Sequence, residues 1–576
     1  MKNTILVSAI AASLVGVGCL TMNSNTDVSA SYEKRTQLTF NEKAQSWKHA
    51  QEFQKMFRAD VNTGEIDIRD VLKGREQAEF LRGQRAGVGL EWKERGPDNV
   101  GGRTRAILVD KLDTTGNTVY AGSVAGGLFK SINGAATWEP IDDHSDSPAI
   151  SCIDQGMGGT IYVGTGCSFE NFDGSGSSGM IGKGLYKSTD GETFTILTST
   201  LPAANATGDG WAHINGIAVD PTNDNRVFAA TKGGLMLTED GGTTWDVAAF
   251  NTAGFTVASG NDVRIADDGT VLYAAGGKVM HSPDGDIGSF IYVTGTGTPT
   301  GSRTIVKFAP SNNDTVWALS ASGGELGGFY LSTDRGETWS YDQGENSGVG
   351  FGSCCGLFNG QANYDLALGV NPKDASTVYI GGVQLWRYDG SLTRIAGEFG
   401  GGEFNVHSDK HDVYFDPHNP NKMFVASDGG IHVSYNQGQT YFSASKGYNT
   451  FSCYGIALDK DGTMMGGAQD NGTWSVDNSV AGGIFTGLEG TNVGGGDGYD
   501  CDYSQITNIS FSTIYSQAFS RGIDGASMGS MCTSGSPGPI CDQGSFYTVG
   551  RLWENENDPT SQTTIVFTNT NAPQAI

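Results

Sequence analysis

Short runs of alternating apolar and polar residues, separated by glycine-rich turns, recur along most of the chain. Residues 119–138, VYAGSVAGGLFKSINGAATW, show the pattern: a β-branched and aromatic run, a turn with paired glycines, a second run and a tight turn that ends on Trp138. This alternation predicts antiparallel strands joined by turns. In the tight turn, Ser or Thr is followed by Asp or Asn, Gly, Thr and an aromatic residue; we call it the repeat turn.

The repeat turn recurs, each time after strand-like runs of the same type, and a unit of four strands repeats about every 35–60 residues, the spacing of propeller blades. Copies lie at residues 188–194, which is one residue short, and at 238–245, 332–339 and 434–441, with degraded versions at 282–285 and 388–391. Units begin near Arg103, Ala149, His213, Asp262, Arg303, Tyr364, His411, Cys453 and Asp497. The periodicity predicts an all-β chain that forms a β-propeller of four-stranded blades. We favour one ring of about eight to ten blades; the alternative is a seven-bladed ring plus a partial second ring.

The polar and aromatic residues of the repeat turns are predicted to be structural. Asx side chains at the third position hydrogen-bond nearby backbone groups, and the aromatic side chain packs between blade strands. The residues concerned are Asn133, Asp190, Asp240 and Asp334, and the tryptophans Trp138, Trp245 and Trp339.

Turns of this type resemble the Asp-box (BNR) repeats of sialidases, xyloglucanase-type glycosidases and sortilin-type propellers. A closer resemblance, to large secreted bacterial Asp-box propeller proteins, covers most of the chain. It rests on the segments GPDNVGGRTRAI (96–107), AGSVAGGLFKS (121–131), HSDKHDVYFDP (407–417), ASDGGIHVS (426–434), GGAQDNGTW (466–474) and GGGDGY (494–499). The resemblance implies a propeller fold but no particular reaction.

Composition narrows the classes of partner. The chain has 576 residues, 86 of them Gly, and a net charge of −27. Many glycines suit many tight turns, and 27 Phe, 20 Tyr and 10 Trp suffice for a core. The negative charge argues against nucleic acid or an anionic membrane surface as partner and suits an extracellular protein. No cofactor is expected.

The N-terminal part differs from the repeats. Residues 1–18 are predicted to be a signal peptide, and Cys19 the site of a lipid anchor; ordinary cleavage farther on is the alternative. Residues 19–90 are predicted to be a linker and helical arm, and 91–576 the propeller. We therefore expect an exported protein, secreted or lipid-anchored at the outer cell surface.

Eight cysteines remain besides Cys19, which permits disulfides in an exported chain. Cys532 and Cys541 close a short loop and are predicted to pair, as are Cys152 and Cys167 on neighbouring strands. The connectivity of Cys354, Cys355, Cys453 and Cys501 stays open.

Three groups of residues carry candidate chemistry. His407, Asp409 and His411 are spaced two apart, so on a strand their side chains would share one face. Their role there would be to bind a ligand or a metal ion, or only to fix the channel lining. Arg103 and Arg105 share a face in the same way and suit a carboxylate ligand or internal ion pairs. Asp428, Asp470 and Asp497 lie in glycine-containing turns. Their predicted role is either that of catalytic carboxylates or that of turn stabilisers.

Two further features bear on function. The loop at 167–182, with Phe169, Phe172 and Asp173, is a long insertion of the kind that often binds partners. The resemblance to xyloglucanase-type enzymes implies a catalytic Asp in an early loop, but the equivalent loop here, 123–126, has no carboxylate.

We therefore favour a binding or scaffold module for a protein or polysaccharide partner at the cell surface. The alternative is a glycan hydrolase that uses the carboxylates at the central channel.

Overall fold

The structure, a computed structural model, describes the chain almost entirely as short antiparallel strands and turns. It describes residues 60, 73–74, 77, 80–81, 94–141, 149–169, 181–203, 209–248, 259–343, 357–397, 406–478, 480–481, 484–485, 488–507, 509–514, 518–523, 526–530, 550–555 and 565–568. The predicted signal peptide and Cys19 lie outside these residues. Within the predicted arm, residues 73–74, 77 and 80–81 are helical. No helix in the described ranges has the length and apolar character needed to cross a bilayer.

The first 28 strands form seven four-stranded antiparallel sheets, blades 1 to 7, and strands pair in chain order within each sheet. The strands are β1 (Thr104–Val109), β2 (Val119–Ser123), β3 (Gly127–Ser131), β4 (Glu139–Pro140); β5 (Ile150–Gln155), β6 (Ile161–Thr165), β7 (Leu185–Ser188), β8 (Thr195–Ile196); β9 (Ile214–Asp220), β10 (Asn223–Thr231), β11 (Gly234–Thr238), β12 (Asp246–Val247); β13 (Gly260–Ile265), β14 (Val271–Ala275), β15 (Lys278–Ser282), β16 (Ile291–Tyr292); β17 (Arg303–Ala309), β18 (Asn312–Ser322), β19 (Glu325–Ser332), β20 (Ser340–Gln343); β21 (Ala367–Val370), β22 (Val378–Gly381), β23 (Leu385–Tyr388), β24 (Leu392–Ala396); β25 (Lys410–Phe415), β26 (Met423–Ser427), β27 (Gly430–Ser434) and β28 (Phe442–Ser443). Two 3₁₀ turns, Thr198–Thr200 and Gly210–Ala212, connect blades 2 and 3.

The remaining strands form a second array, which contains two more four-stranded sheets, blades 8 and 9, and two strand pairs. Blade 8 is β29 (Cys453–Leu458), β30 (Met464–Ala468), β31 (Gly472–Val476) and β34 (Thr491–Gly494), with the hairpin β32 (Val480–Ala481) and β33 (Ile484–Phe485) inserted. Blade 9 is β35 (Cys501–Tyr503), β36 (Ile509–Ile514), β37 (Ala518–Ile523) and β38 (Ala526–Ser530); β39 (Gly550–Trp553) pairs with β40 (Ile565–Thr568).

The first seven blades close into a ring. The first strand of each blade packs against the first strand of the next, and β25 of blade 7 packs against β1 of blade 1. Across the centre, Lys307 Nζ of blade 5 lies 4.0 Å from Asp412 Oδ1 of blade 7, so first strands that are not neighbours face a common channel. The predicted propeller of four-stranded blades is confirmed. The ring count that we favoured is wrong, and the seven-bladed ring with a partial second array is the observed arrangement.

Blades 1 and 7 share one apolar core at the closure. Ile107 and Phe129 of blade 1 pack in the same cluster as Phe424 and Ile431 of blade 7. Trp138, at the end of a blade 1 repeat turn, is 2% exposed and its indole Nε1 donates to Ala444 O of blade 7 at 2.7 Å. Sequence similarity between units cannot reveal this closure, because every blade has the same kind of faces.

The repeat turns have a common hydrogen-bond pattern. In blade 2, Asp190 Oδ1 accepts from Thr193 N at 2.8 Å, Glu192 N at 2.9 Å and Ser188 Oγ at 3.0 Å. These backbone hydrogen bonds, led by that from Thr193, lower the pKa of Asp190 to about 2. Asn133, Asp240 and Asp334 cap their own turns in the same way.

The aromatic residues of these turns differ in burial. Trp339 is 6% exposed, like the well-buried Trp138. Trp245 is only partly buried and packs edge-on against Trp211, with ring centroids 5.0 Å apart.

A β-bulge near the start of the first strand recurs in most blades. The pairing register shifts by one residue at Arg105 in β1, Asn215 in β9, Asn261 in β13 and His411 in β25. A bulge re-aims the extra side chain out of the sheet pattern. Several of these side chains reach the next blade; Asn215 Nδ2, for example, donates to Gly260 O at 2.7 Å.

The predicted pairing of Cys152 with Cys167 is wrong. Cys152 lies opposite Gly164 in the β5–β6 ladder, so Cys167 lies three residues beyond the position that a cross-strand disulfide requires. No disulfide joins them, and Cys453 and Cys501 are not bonded to each other either. Cys354, Cys355, Cys532 and Cys541 lie outside the described residues.

We expect the change Trp138→Ala to lower the free energy of unfolding by about 3–5 kcal/mol, because it opens a cavity at the blade 1–blade 7 interface. Ile132→Ala, in the same repeat turn but 74% exposed, is the matched control and should change stability by less than about 0.5 kcal/mol. Chemical denaturation of the purified protein measures both. Equal, small effects would contradict closure through this contact.

Candidate functional site

The predicted site residues converge on one face of the ring. We call the face on which the first strands begin the upper face. Arg103 immediately precedes β1, His411 is the second residue of β25, and Asp428 lies in the β26–β27 turn. Asp470, in the β30–β31 turn of blade 8, comes from the second array and reaches the same place.

Asp428 is the centre of this cluster. Its carboxylate accepts from Arg103 Nε at 3.0 Å and Nη2 at 3.4 Å, from Tyr364 OH at 2.6 Å and from His411 Nε2 at 2.6 Å. Asn471 Nδ2 donates to its backbone oxygen at 3.0 Å. The donors come from blades 1, 6, 7 and 8, so one residue joins both ends of the ring, through its carboxylate, to the second array, through its backbone oxygen.

The charge of Asp428 is matched within the fold. Its side chain is 1% exposed. Burial acts to raise its pKa, but Arg103 and His411 outweigh burial and hold the pKa well below the usual range for Asp. A carboxylate whose oxygens already accept four hydrogen bonds has little capacity left for a substrate.

Asp470 and Asp497 lie beside Asp428 in a different electrostatic state. Asp470 Oδ2 is 3.1 Å from Arg103 Nη2, and Asp497 Oδ1 accepts from Asp470 N at 2.9 Å. Burial, with the neighbouring Asp428 and Asp497 charges, raises the pKa of Asp470 well above its usual range; burial also raises that of Asp497. Asp428 and Asp470 share one guanidinium nitrogen, since Arg103 Nη2 donates to Oδ2 of both, so the two carboxyl groups are close neighbours.

The prediction that His407, Asp409 and His411 share one face is wrong. The strand begins only at Lys410, and Asp409 has a φ of 60°, which interrupts the alternation. His407 Nε2 lies 2.9 Å from Asp470 O, Asp409 Oδ1 accepts from Gln361 Nε2 at 3.1 Å, and His411 contacts Asp428. In the part of the chain that the structure describes, no three His, Cys, Asp or Glu side chains are arranged to hold a metal ion.

Arg105 lies close to the cluster but separate from Asp428. Its Cζ is 5.4 Å from the ring centroid of Tyr364, and Arg103 Cζ is 5.0 Å from the same ring. The ring of Tyr364 also meets His411 edge-on, with centroids 5.0 Å apart. Tyr364 therefore contacts both arginines and His411.

Sequence reasoning missed four residues of this site. Tyr364, Asp365, Gln361 and Arg303 all lie at the upper face, in or beside the starts of first strands. The available signal was positional, because Arg303 and Tyr364 mark unit starts in the repeat pattern, where Arg103 and His411 also lie. Of the predicted loop residues, Phe169 is described and lies over Arg303, while Phe172 and Asp173 lie outside the described residues.

The fold and this site define the chain as a β-propeller with a charged upper face. No protein-family profile matches it, and no curated protein does either. Among solved structures it is similar to a GH74 enzyme of Niastella koreensis (16% identity, 76% of this chain and 74% of that chain, TM-score 0.45). It is also similar to an ancestral GH74 enzyme (15%, 85% and 63%, TM-score 0.49) and to YCF48 bound to D1 peptide (13%, 60% and 96%, TM-score 0.37).

We expect Asp428→Asn to lower the free energy of unfolding by about 3–5 kcal/mol, because it removes the buried carboxylate that is the main counter-charge of the partly buried Arg103. Asp267→Asn, at an exposed turn position, is the control and should be neutral. Urea denaturation at neutral pH measures both. A neutral Asp428→Asn variant would show that the cluster does not hold the ring together.

The environment of Asp409 leads us to expect that the free energy of unfolding depends on pH. Burial, and then the nearby Asp428, raises its pKa to about 7, whereas an unfolded Asp titrates near 3.9. The folded chain therefore binds this proton more tightly than the unfolded chain does. The stabilisation that results is fully present below about pH 4 and is lost as pH rises to about 7. Asp409→Asn should flatten this fall, measured by urea denaturation between about pH 4.5 and 8, and Asp267→Asn should not. An unchanged profile in Asp409→Asn would contradict the assignment.

Proposed function

We propose that this propeller is a binding module, which holds a protein or polysaccharide partner against its upper face at the cell surface. The observation that carries the proposal is the saturation of Asp428. This carboxylate accepts four hydrogen bonds from within the fold, so in this proposal it supports the upper face and does not attack a substrate.

The groups around Asp428 suit ligand contact. The side chain of Asp470 is 27% exposed and that of Arg103 is 17% exposed. Together with the nearby Asp409 and Asp497, they offer donors and acceptors at the edge of a rigid frame. A rigid scaffold with polar groups at its open face is the usual arrangement of a recognition surface.

The cell-surface setting is part of the proposal and rests on the apolar leader and on Cys19 as a lipid-anchor site. It also agrees with the net charge of −27, which suits a protein that must stay soluble outside the cell.

Glycan hydrolysis is the second candidate, and one observation favours it. Asp428 and Asp470 are neighbouring carboxyl groups whose pKa values are displaced in opposite directions. Such a pair is typical of an ionised carboxylate beside a general acid. In this mechanism Asp470 would protonate the leaving oxygen, and Asp428 would have to give up hydrogen bonds to act as base or nucleophile.

One experiment separates the two functions. The purified full-length protein is screened on a glycan array, and each glycan that binds is incubated with the protein and assayed for new reducing ends. We expect binding with the glycan recovered intact. Asp470→Asn, an isosteric change at a carboxyl group whose pKa is raised, should change affinity by less than about threefold, equivalent to about 0.7 kcal/mol.

Release of new reducing ends that Asp470→Asn abolishes, while Asp267→Asn retains it, would establish the hydrolase instead. Failure of every glycan to bind, together with capture of peptides on the upper face, would leave the binding module with a protein partner.

A further inference from the structure

Two more arginines meet at the upper face, and the Asp428 cluster does not use them. Arg105 is the bulged residue of β1 in blade 1, and Arg303 is the first residue of β17 in blade 5. Arg303 Nη1 donates to Tyr364 O at 3.0 Å, while Arg105 Cζ lies 5.4 Å from the ring of the same tyrosine. Two blades on different sides of the channel therefore bring guanidinium groups to one point of the channel mouth.

The charge of Arg303 is buried and forms no ion pair with a described carboxylate. Arg303 is 7% exposed, its Nη1 donates only to the backbone oxygens of Asn363 and Tyr364, and its Cζ lies 3.9 Å from the ring centroid of Phe169. Its Nε has no hydrogen-bond partner among the described residues, and no described carboxylate lies within ion-pair distance of it. Burial, and then the charge of Arg105, lowers the pKa of Arg303 to about 10.

This state is costly for the isolated protein. A buried charge is normally matched by an ion pair, as Arg103 is by Asp428 and Arg226 by Asp220. An anion at the channel mouth would neutralise Arg303 and offset its repulsion from Arg105. A carboxylate fits best, because its two oxygens match the planar fork of a guanidinium.

Asp365 supplies the second part of the site. It is fully buried, and neither of its carboxyl oxygens has a hydrogen-bond partner among the described residues. Burial, and then the charge of Asp409, raises its pKa well above the usual range and so favours the protonated form. In that form the carboxyl group can both donate to and accept from a hydroxyl group.

We propose that Arg303 and Arg105 bind the carboxylate of an acidic sugar residue at the channel mouth, and that Asp365 hydrogen-bonds a hydroxyl group of the same residue. The inference rests on the proposed binding function and assigns the chemistry of its ligand. A uronic acid is favoured over a peptide terminus because the site combines a guanidinium that forms no ion pair among the described residues with a carboxyl group whose oxygens have no hydrogen-bond partner there. This combination matches a molecule that carries a carboxylate and hydroxyl groups together.

The test is calorimetric titration of the full-length protein with hexuronate oligosaccharides of galacturonate, glucuronate and mannuronate, each beside its carboxyl-reduced, neutral counterpart. We expect at least one acidic oligosaccharide to bind, and its neutral counterpart to bind at least tenfold more weakly. Arg303→Gln should reduce affinity for the acidic form at least tenfold and leave affinity for the neutral form unchanged. Arg303→Lys, which keeps the charge but not the fork, should lie between.

Arg335→Gln is the matched control, because Arg335 lies in the repeat turn of the same blade and its side chain is 39% exposed; it should bind as the wild type does. Asp365→Asn should retain affinity within about threefold, and Asp365→Leu should lose it. Thermal unfolding checks each variant, and the comparison of acidic with neutral sugars on the wild type stands even if a variant fails to fold.

Equal binding of the acidic and neutral forms would overturn this inference and leave the proposed function standing. Absence of binding by every sugar would overturn the inference, and preferential binding of peptides with a free C-terminal carboxylate over their amidated forms would do so in favour of a protein ligand.

Discussion

The structure depends on closure of the ring between blade 7 and blade 1. A four-stranded blade has two apolar faces, and neither is buried unless another blade covers it. The closure brings Trp138 of blade 1 against Ala444 and Tyr448 of blade 7, although more than 300 residues separate them in the chain. The channel side repeats the constraint, since β25 of blade 7 packs against β1 of blade 1. Between other blades the first strands are linked by hydrogen bonds: Asp154 of blade 2 accepts from Val219 N of blade 3, and Asp262 of blade 4 accepts from Val306 N of blade 5.

The same closure creates the site. Arg103 precedes the first strand of the ring and Asp428 lies in its last blade, so their ion pair exists only when the ring is complete. Asp470 joins them from the second array. The resulting cluster divides its carboxyl groups by environment: Asp428 is surrounded by donors and stays ionised, whereas Asp470, Asp409 and Asp365 are buried near like charges and hold protons more tightly. One face of the ring thus combines a structural ion pair with carboxyl groups that remain suited to ligand contact.

The second array shows what a blade looks like without the same enclosure. All six residues of β1 are buried, but in β29, the corresponding strand of blade 8, Ile456 is 70% exposed and Leu458 is 56% exposed. The other face of blade 8 packs against blade 9 through Ala457, Met465 and Tyr503. The apolar sequence of β29 is therefore that of an inner propeller strand, and its exposure follows from the number of neighbouring blades among the described residues.

The sequence by itself determined the unit and its local chemistry. The repeat turns, the four-stranded blades and the concentration of Arg103, Asp428 and Asp470 near unit starts or glycine turns all follow from short-range patterns, because strand alternation and turn hydrogen bonds involve residues close in the chain. The tertiary structure decided the number of blades in the ring, the separate directions of His407, Asp409 and His411, the unbonded Cys152 and the meeting of Arg105 with Arg303. These depend on where the ring closes and on one-residue bulges, and both are set by packing between blades that look alike in sequence.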